Sequence, residues 1–270
     1  MRELPRTATP LHERHRTGHR ISSVKEHFFE LQQQGCIEGI KQVYGIDIDK
    51  DDERWAELAA EYSAMLDGEE EEAEFQWLNR HTHSEFFLNF PEDLATASSL
   101  LTLGDSEQHT DTLNKLVYAH AVTLMEALIS SVVCKLVVSD KGLLINLVAG
   151  YRKLSTRTIN LKEVAEQPKL VESIVLTTLK ELTLHNVGTV KEVLGAMFGK
   201  HMDSLEVGEI GRICSKRHDI VHRNGKTVDD QPIELTTEEV KQAIRTIREF
   251  AEELKSRIDN AACERESADF

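Results

Sequence analysis

The chain has 270 residues, with 47 acidic side chains against 32 basic ones and a formal net charge of −15. Hydrophobic residues at 40% beside 29% charged residues exclude an intrinsically disordered chain, and the length allows one or two domains with a real core. Taken as an average, the acidic balance argues against a nucleic-acid partner, because phosphate is bound chiefly by Lys and Arg.

Residues 1–20 hold Arg2, Arg6, Arg14, Arg16 and Arg20 against Glu3 and Glu13, without apolar periodicity, and read as a flexible basic arm. From Ile21 to about Tyr44 the spacing of Val24, Phe28, Leu31 and Ile37 predicts one or two helices. Residues 47–74 carry 13 acids and two bases, Lys50 and Arg54. Trp55, Leu58, Ala59, Tyr62 and Leu66 keep helical spacing there, so the segment reads as an amphipathic helix followed by a Glu-rich turn. Tyr44–Ile48 is the only strand-like stretch. A further helix is expected over about 71–89, with Pro91 and the small polar residues after it marking a boundary that Gly104 closes. Residues 21–104 thus form a helical N-terminal region.

Beyond 105 the pattern is cleaner. A long helix is predicted from about Asp111 to Ser139, apolar nearly all round, stopping at Asp140-Lys141-Gly142. Helices follow over about Leu143–Leu154, from Pro168 to about Leu184, and over Val190–Phe198; Leu161–Ala165 is too short to assign. Another helix begins near Ser204 and ends by Asn224-Gly225. A last one, capped by Thr236 or Thr237 with Glu239, runs to about Ile258, leaving 261–270 as a tail. The chain is expected to be all-α, with a bundle over 105–260.

The four cysteines, Cys36, Cys134, Cys214 and Cys263, lie far apart and form no C-x-x-C pair. They read as reduced thiols of a cytoplasmic protein, with neither a zinc site nor a disulfide framework. The N-terminus lacks the apolar core of a signal peptide. Leu116–Val138 is interrupted by His120, Glu126 and Lys135, which suits a buried core helix rather than a membrane span. His81 and His83 point to different sides of a helix at i,i+2, so no metal site is expected. Trp55, Trp77, Phe75, Phe86, Phe87 and Phe90 read as core, since a base-stacking platform needs basic neighbours. No cofactor motif is present: there is no Gly-rich phosphate loop and no nucleophile elbow.

The informative stretch is Lys216-Arg217-His218-Asp219-Ile220-Val221-His222-Arg223-Asn224-Gly225. With Ile210 at 0° and about 100° per residue, Cys214, Val221, Ile213 and Ile220 fall on one apolar stripe, and Arg217, near 340°, falls inside it. His218 and His222 stand at its border on one i,i+4 row. A buried arginine must be paired, with Glu126 as a candidate, or must lie at an interface. Two readings follow. One is a structural ion pair with ordinary helix-end histidines. The other is a phosphate site, with Arg as clamp and His as acid or base.

Arg217-His218-Asp219-Ile220-Val221-His222 resembles the Arg-(four to six residues)-His signature of the HEPN superfamily, in which a polar residue follows the Arg. Arg223-Asn224-Gly225 resembles the turn that ends the motif helix. The stretch from Tyr118 through Glu126 resembles the family's first core helix with its buried acid. The resemblance covers about 105–260. It implies a HEPN-like helical bundle that dimerises through the motif helix. It also implies a metal-independent endoribonuclease without cofactors, of the kind found in toxin–antitoxin pairs and antiviral defence. Arg217 and His222 would be the catalytic pair and His218 the polar second residue; Asp219, three residues before His222, could orient its imidazole. RNA would be a partner, as would an antitoxin or sensor protein. A catalytically silent HEPN-like module that binds protein or nucleic acid is the alternative, and an acidic adaptor acting through 47–74 is a third.

On an ideal helix Arg217 and His222 stand about 140° apart. Either the helix loosens near Val221 or the site is composite across a dimer, and the second is expected because Arg217 on the apolar stripe suits a seam. The net charge also divides unevenly. Residues 105–260 hold 21 bases against 23 acids, and within 211–226 Arg212, Lys216, Arg217, Arg223 and Lys226 face one acid. Arg212, Lys216, Arg223 and Lys226 are therefore the candidate RNA contacts, because attraction follows the local field. The acidic segment 47–74 is expected to compete with RNA for them, most strongly at low salt.

Overall fold

Helices supply every extended element of the computed structural model, which describes residues 13–103, 107–182 and 186–268. Among these residues no strand occurs; Lys226 and Pro232 form an isolated bridge. The chain is all-α and divides into two compact units, Met1–Glu74 and Phe75–Phe270.

In the first unit, helix α1 (Glu13–Tyr44) is continuous and begins inside the span expected to be a flexible arm; residues 1–12 lie outside the described residues. Gly45 closes it at φ 69°, its N–H reaching the Lys41 carbonyl at 3.0 Å, so Tyr44–Ile48 leaves a helix cap and is not a strand. Helix α2 (Trp55–Arg80) passes straight through the acidic run, where a turn was expected. Glutamate is a good helix former, and nothing between Glu69 and Glu74 stops a helix. A Cβ at Gly39 of α1 would run into the Tyr62 ring of α2, so glycine permits their close approach.

The second unit starts within the last turns of α2. Helix α3 (His83–Ser99) opens on a capping box: the Glu85 N–H donates to Thr82 Oγ1 at 3.2 Å and the Thr82 N–H to Glu85 Oε2 at 2.6 Å. Pro91 lies inside α3 and does not end it. Buried Phe87, Phe90, Leu94 and Ala97 hold the stripe on both sides of the proline, so packing outweighs its lost hydrogen bond. Because α3 packs on the helices that follow, the unit boundary falls at Glu74/Phe75 and not at 104.

Helix α4 (Glu107–Ser139) is the axis of the bundle. It is long and apolar enough to cross a membrane, yet more than half of that stretch is buried inside the protein, as befits a core helix. Asp140 caps α5 (Lys141–Gly150) through the Gly142 and Leu143 amides. Tyr151 then breaks what the sequence suggests is one helix, and α6 (Arg152–Ser155) is a separate turn. Helix α7 (Leu161–Glu166) is formed, and α8 (Leu170–Lys180) begins two residues after Pro168. Helix α9 (Val187–Phe198) ends at Gly199, φ 55°. Helices α10 (Gly208–His222) and α11 (Thr237–Ala268) complete the unit, and α11 takes up most of the expected tail. Against α4 pack α3, α5, α8, α10 and α11, enclosing fully buried Met125, Leu147, Leu194, Ile247 and Leu254.

Candidate functional site

Helix α10 is fixed on the bundle by Ile210, Ile213, Cys214 and Ile220, all buried. This stripe carries Arg217 inward, as the helical wheel predicts. Its side chain keeps 17% of its surface and faces Glu126 of α4, which keeps 18%, at 3.9 Å between Nη2 and Oε2. At that separation the two charges attract without a hydrogen bond. The Arg217 Nε is buried with no hydrogen-bond partner. Cys214 shares the cluster: burial pushes its thiol up to about 11, the Glu126 charge adds to that, and Arg217 opposes it. Beside it, the Tyr118 hydroxyl donates to the Ile213 carbonyl at 3.4 Å, and burial raises the phenol well above its ordinary range.

His218 and His222 occupy the other flank. Their rings stand 4.6 Å apart between centroids, tilted by 42°. His218 is half-buried and His222 exposed. The helix is regular through His222, so it does not loosen near Val221, and Arg217 and His222 of one chain point in different directions. Val221, expected on the buried stripe, is 48% exposed in the last turn. Asp219, expected to orient His222, is paired with Arg223 in the structure. Its carboxylate accepts from Arg223 one turn on, a charge-assisted bond that an i,i+4 pair makes readily.

The helix ends in a Schellman-type turn. Asn224 takes φ 54° and Gly225 φ 76°, and the Gly225 N–H donates to the Ile220 carbonyl at 3.1 Å. A side chain at Gly225 would be strained there and would press on the stem of Lys115. The loop returns to the bundle through Asn114, the one buried polar residue identified among the described residues. Its Nδ2 donates to the Leu235 carbonyl at 2.7 Å, and Thr237 donates to its Oδ1 at 3.3 Å. Sequence reasoning passed over Asn114; the available signal was an amide on a helix apolar nearly all round.

The candidate RNA contacts are not a bare basic patch. Arg212 pairs with Glu209, Arg223 with Asp219, Lys226 with Asp230 at 2.7 Å, and Lys216 lies 3.8 Å from Glu239 of α11. Glu209, Asp230 and Glu239 lie outside the 211–226 window, which is why counting charges within it overstated the local excess.

An all-helical bundle whose penultimate helix presents Arg-x4-His, with the Arg facing a largely covered acid on its central helix, is the architecture of a HEPN-type domain. Over residues 89–260, more than half of its length, the chain matches the family model described as RiboL-PSP-HEPN, and it belongs to that family. No curated protein and no solved structure matches it.

Proposed function

We propose that the chain is a metal-independent endoribonuclease of HEPN type, acting as a toxin or an antiviral-defence effector. The observation that carries this reading is Arg217 with His222, five residues apart on the motif helix of a HEPN domain. RNA brings its own nucleophile, the 2′-OH. Imidazole serves as acid or base in the attack, and guanidinium stabilises the charge that grows on the phosphate. Cleavage leaves a 2′,3′-cyclic phosphate and a 5′-hydroxyl. Because Arg217 and His222 diverge within one chain, the site is composite, with two motif helices face to face in a homodimer. Exposed apolar Val221 on α10 and Leu116 on α4 suit such a seam. RNA is the substrate, and an antitoxin or sensor protein restrains the activity.

The test is cleavage of total RNA by the purified protein, with end-group analysis of the products, beside growth on induced expression. Arg217→Ala and His222→Ala each abolish cleavage and relieve toxicity. Mixed dimers of the two variants regain activity at one site. Absence of cleavage by the wild-type protein overturns the reading. A second reading, a silent HEPN-like module that binds a partner, draws on the inward contact of Arg217 with Glu126 and on the ion-paired state of Arg212, Lys216, Arg223 and Lys226.

A further inference from the structure

Breaking an RNA strand through its 2′-OH needs two proton transfers. One takes the proton from the 2′-oxygen as it forms a bond to phosphorus, and the other gives a proton to the 5′-oxygen as the P–O5′ bond breaks. A lone imidazole must do both or leave one to water. The two oxygens lie on opposite sides of one phosphorus atom, about two P–O bond lengths apart, because displacement is in line.

Helix α10 offers two imidazoles at that scale. His218 and His222 sit one turn apart on one flank, with ring centroids 4.6 Å apart and a 42° tilt that prevents flat stacking. Each ring has two nitrogens, so neighbouring rings present a nitrogen to each of two oxygens of a phosphodiester while staying within about 2.6–3.2 Å of their targets. The row reaches solvent through exposed His222, whereas Arg217 is turned towards Glu126. An acid–base couple requires one neutral ring to accept a proton and one protonated ring to give one.

We propose that His218 and His222 act as a catalytic couple, one accepting the 2′-OH proton and the other protonating the departing 5′-oxygen. The proposal rests on the endoribonuclease reading and deepens it. The balance closes: the 2′-O–P bond forms, the P–O5′ bond breaks, and one proton enters the couple as another leaves it. The couple therefore ends with its single positive charge on the other ring, and exchange with water resets it. The charged groups of this region are Arg217, Asp219 and Arg223 on α10 itself, Glu126 of α4 facing Arg217, Lys115 of α4 beside Gly225, and Glu239 of α11 beside Lys216. Helix α9 approaches α10 through apolar Val187 beside Gly211.

The test compares an ordinary RNA oligonucleotide with one whose scissile 5′-oxygen is replaced by sulfur, a leaving group that needs no general acid. On ordinary RNA, His218→Ala and His222→Ala each lose about 10²–10⁴-fold in kcat, and the bell-shaped pH profile of the wild type loses one limb in each variant. On the thio-substituted RNA the variant lacking the acid recovers to near the wild-type rate, and the variant lacking the base does not. His218→Gln serves beside His218→Ala, and circular dichroism checks that both fold. A His218 variant that is folded and cleaves ordinary RNA at the wild-type rate overturns the couple while leaving the endoribonuclease intact. So does rescue of both variants, or of neither. A wild-type protein that cleaves neither substrate overturns the parent reading instead.

Discussion

The two flanks of α10 differ in what holds their ionisable groups. On the inner flank, Arg217 lies between Cys214 and Glu126 in surroundings dry enough to push a thiol up to about 11, and its ion pair is 3.9 Å long without a hydrogen bond. On the outer flank, His218 and His222 stand against each other and lead to solvent. The helix that carries both is regular to its end. The inner flank therefore belongs to the packing of the bundle as much as to any chemistry, whereas the outer flank opens to solvent through His222. The difference teaches that Arg217 and His222, alike in a sequence motif, answer to different physical demands.

That contrast can be broken most sharply by two substitutions. His222→Ala, on the wet flank, is expected to lower RNA cleavage by about 10²–10⁴-fold while shifting stability by no more than about 0.5 kcal/mol, as surface changes usually do. Arg217→Ala is expected to lose activity and stability together. Cleavage assays and denaturant titrations of the same preparations separate the two outcomes; equal effects on stability would erase the distinction.

A smaller effect is expected at Glu126. Glu126→Gln keeps the shape but leaves Arg217 without its counter-charge. A well-made buried pair costs about 3–5 kcal/mol to break from one side. With 3.9 Å between charges and both side chains partly open, about 1–3 kcal/mol is expected by the same reasoning, read as a lower urea midpoint at unchanged slope.

Smaller again is the consequence of the raised Cys214 thiol. Its folded value is higher than the unfolded 9.0, so the folded state holds the proton more tightly. Stability is complete below pH 9 and declines as pH rises from there through about 11. In the native protein exposed Cys263 is expected to react with a thiol reagent at pH 8 well before buried Cys214. Equal rates would show that the inner flank is open to solvent.

The smallest effect is expected where α11 starts. The backbone N–H of Thr236, then its hydroxyl, hold the Glu239 carboxyl below its ordinary 4.5, with Lys216 of α10 adding to this. A carboxylate depressed in the fold stabilises above its unfolded value, and that contribution is lost as pH falls below 4.5 through the folded one. Thr236→Ala is expected to cost about 1 kcal/mol and to flatten the acid limb of a stability–pH curve.

Much of this architecture was legible in the chain. The 3.6-residue spacing, the Thr236/Glu239 box, the Asp140 stop and the Asn224-Gly225 turn are local signals, and each marks a helix end in the structure within a few residues. Local signals misled where packing overruled them. Pro91 sits inside α3 because four buried residues flank it, and the Glu-rich run stays helical because glutamate favours a helix and nothing there interrupts one. The unit boundary at Glu74/Phe75 was invisible for the same reason, since it depends on what α3 packs against.

For the candidate site the division is sharper. The sequence by itself determined that α10 is amphipathic, that Arg217 falls on its apolar side and that His218 and His222 share a row, because helical geometry fixes directions from spacing alone. Only the tertiary structure decided what each of them meets. Arg217 faces an acid 91 positions earlier in the chain, Lys216 approaches Glu239 on the next helix, and the loop after the motif is tied down by Asn114. Charge and burial act through space, and residues far apart in sequence become neighbours only when α4, α10 and α11 pack together.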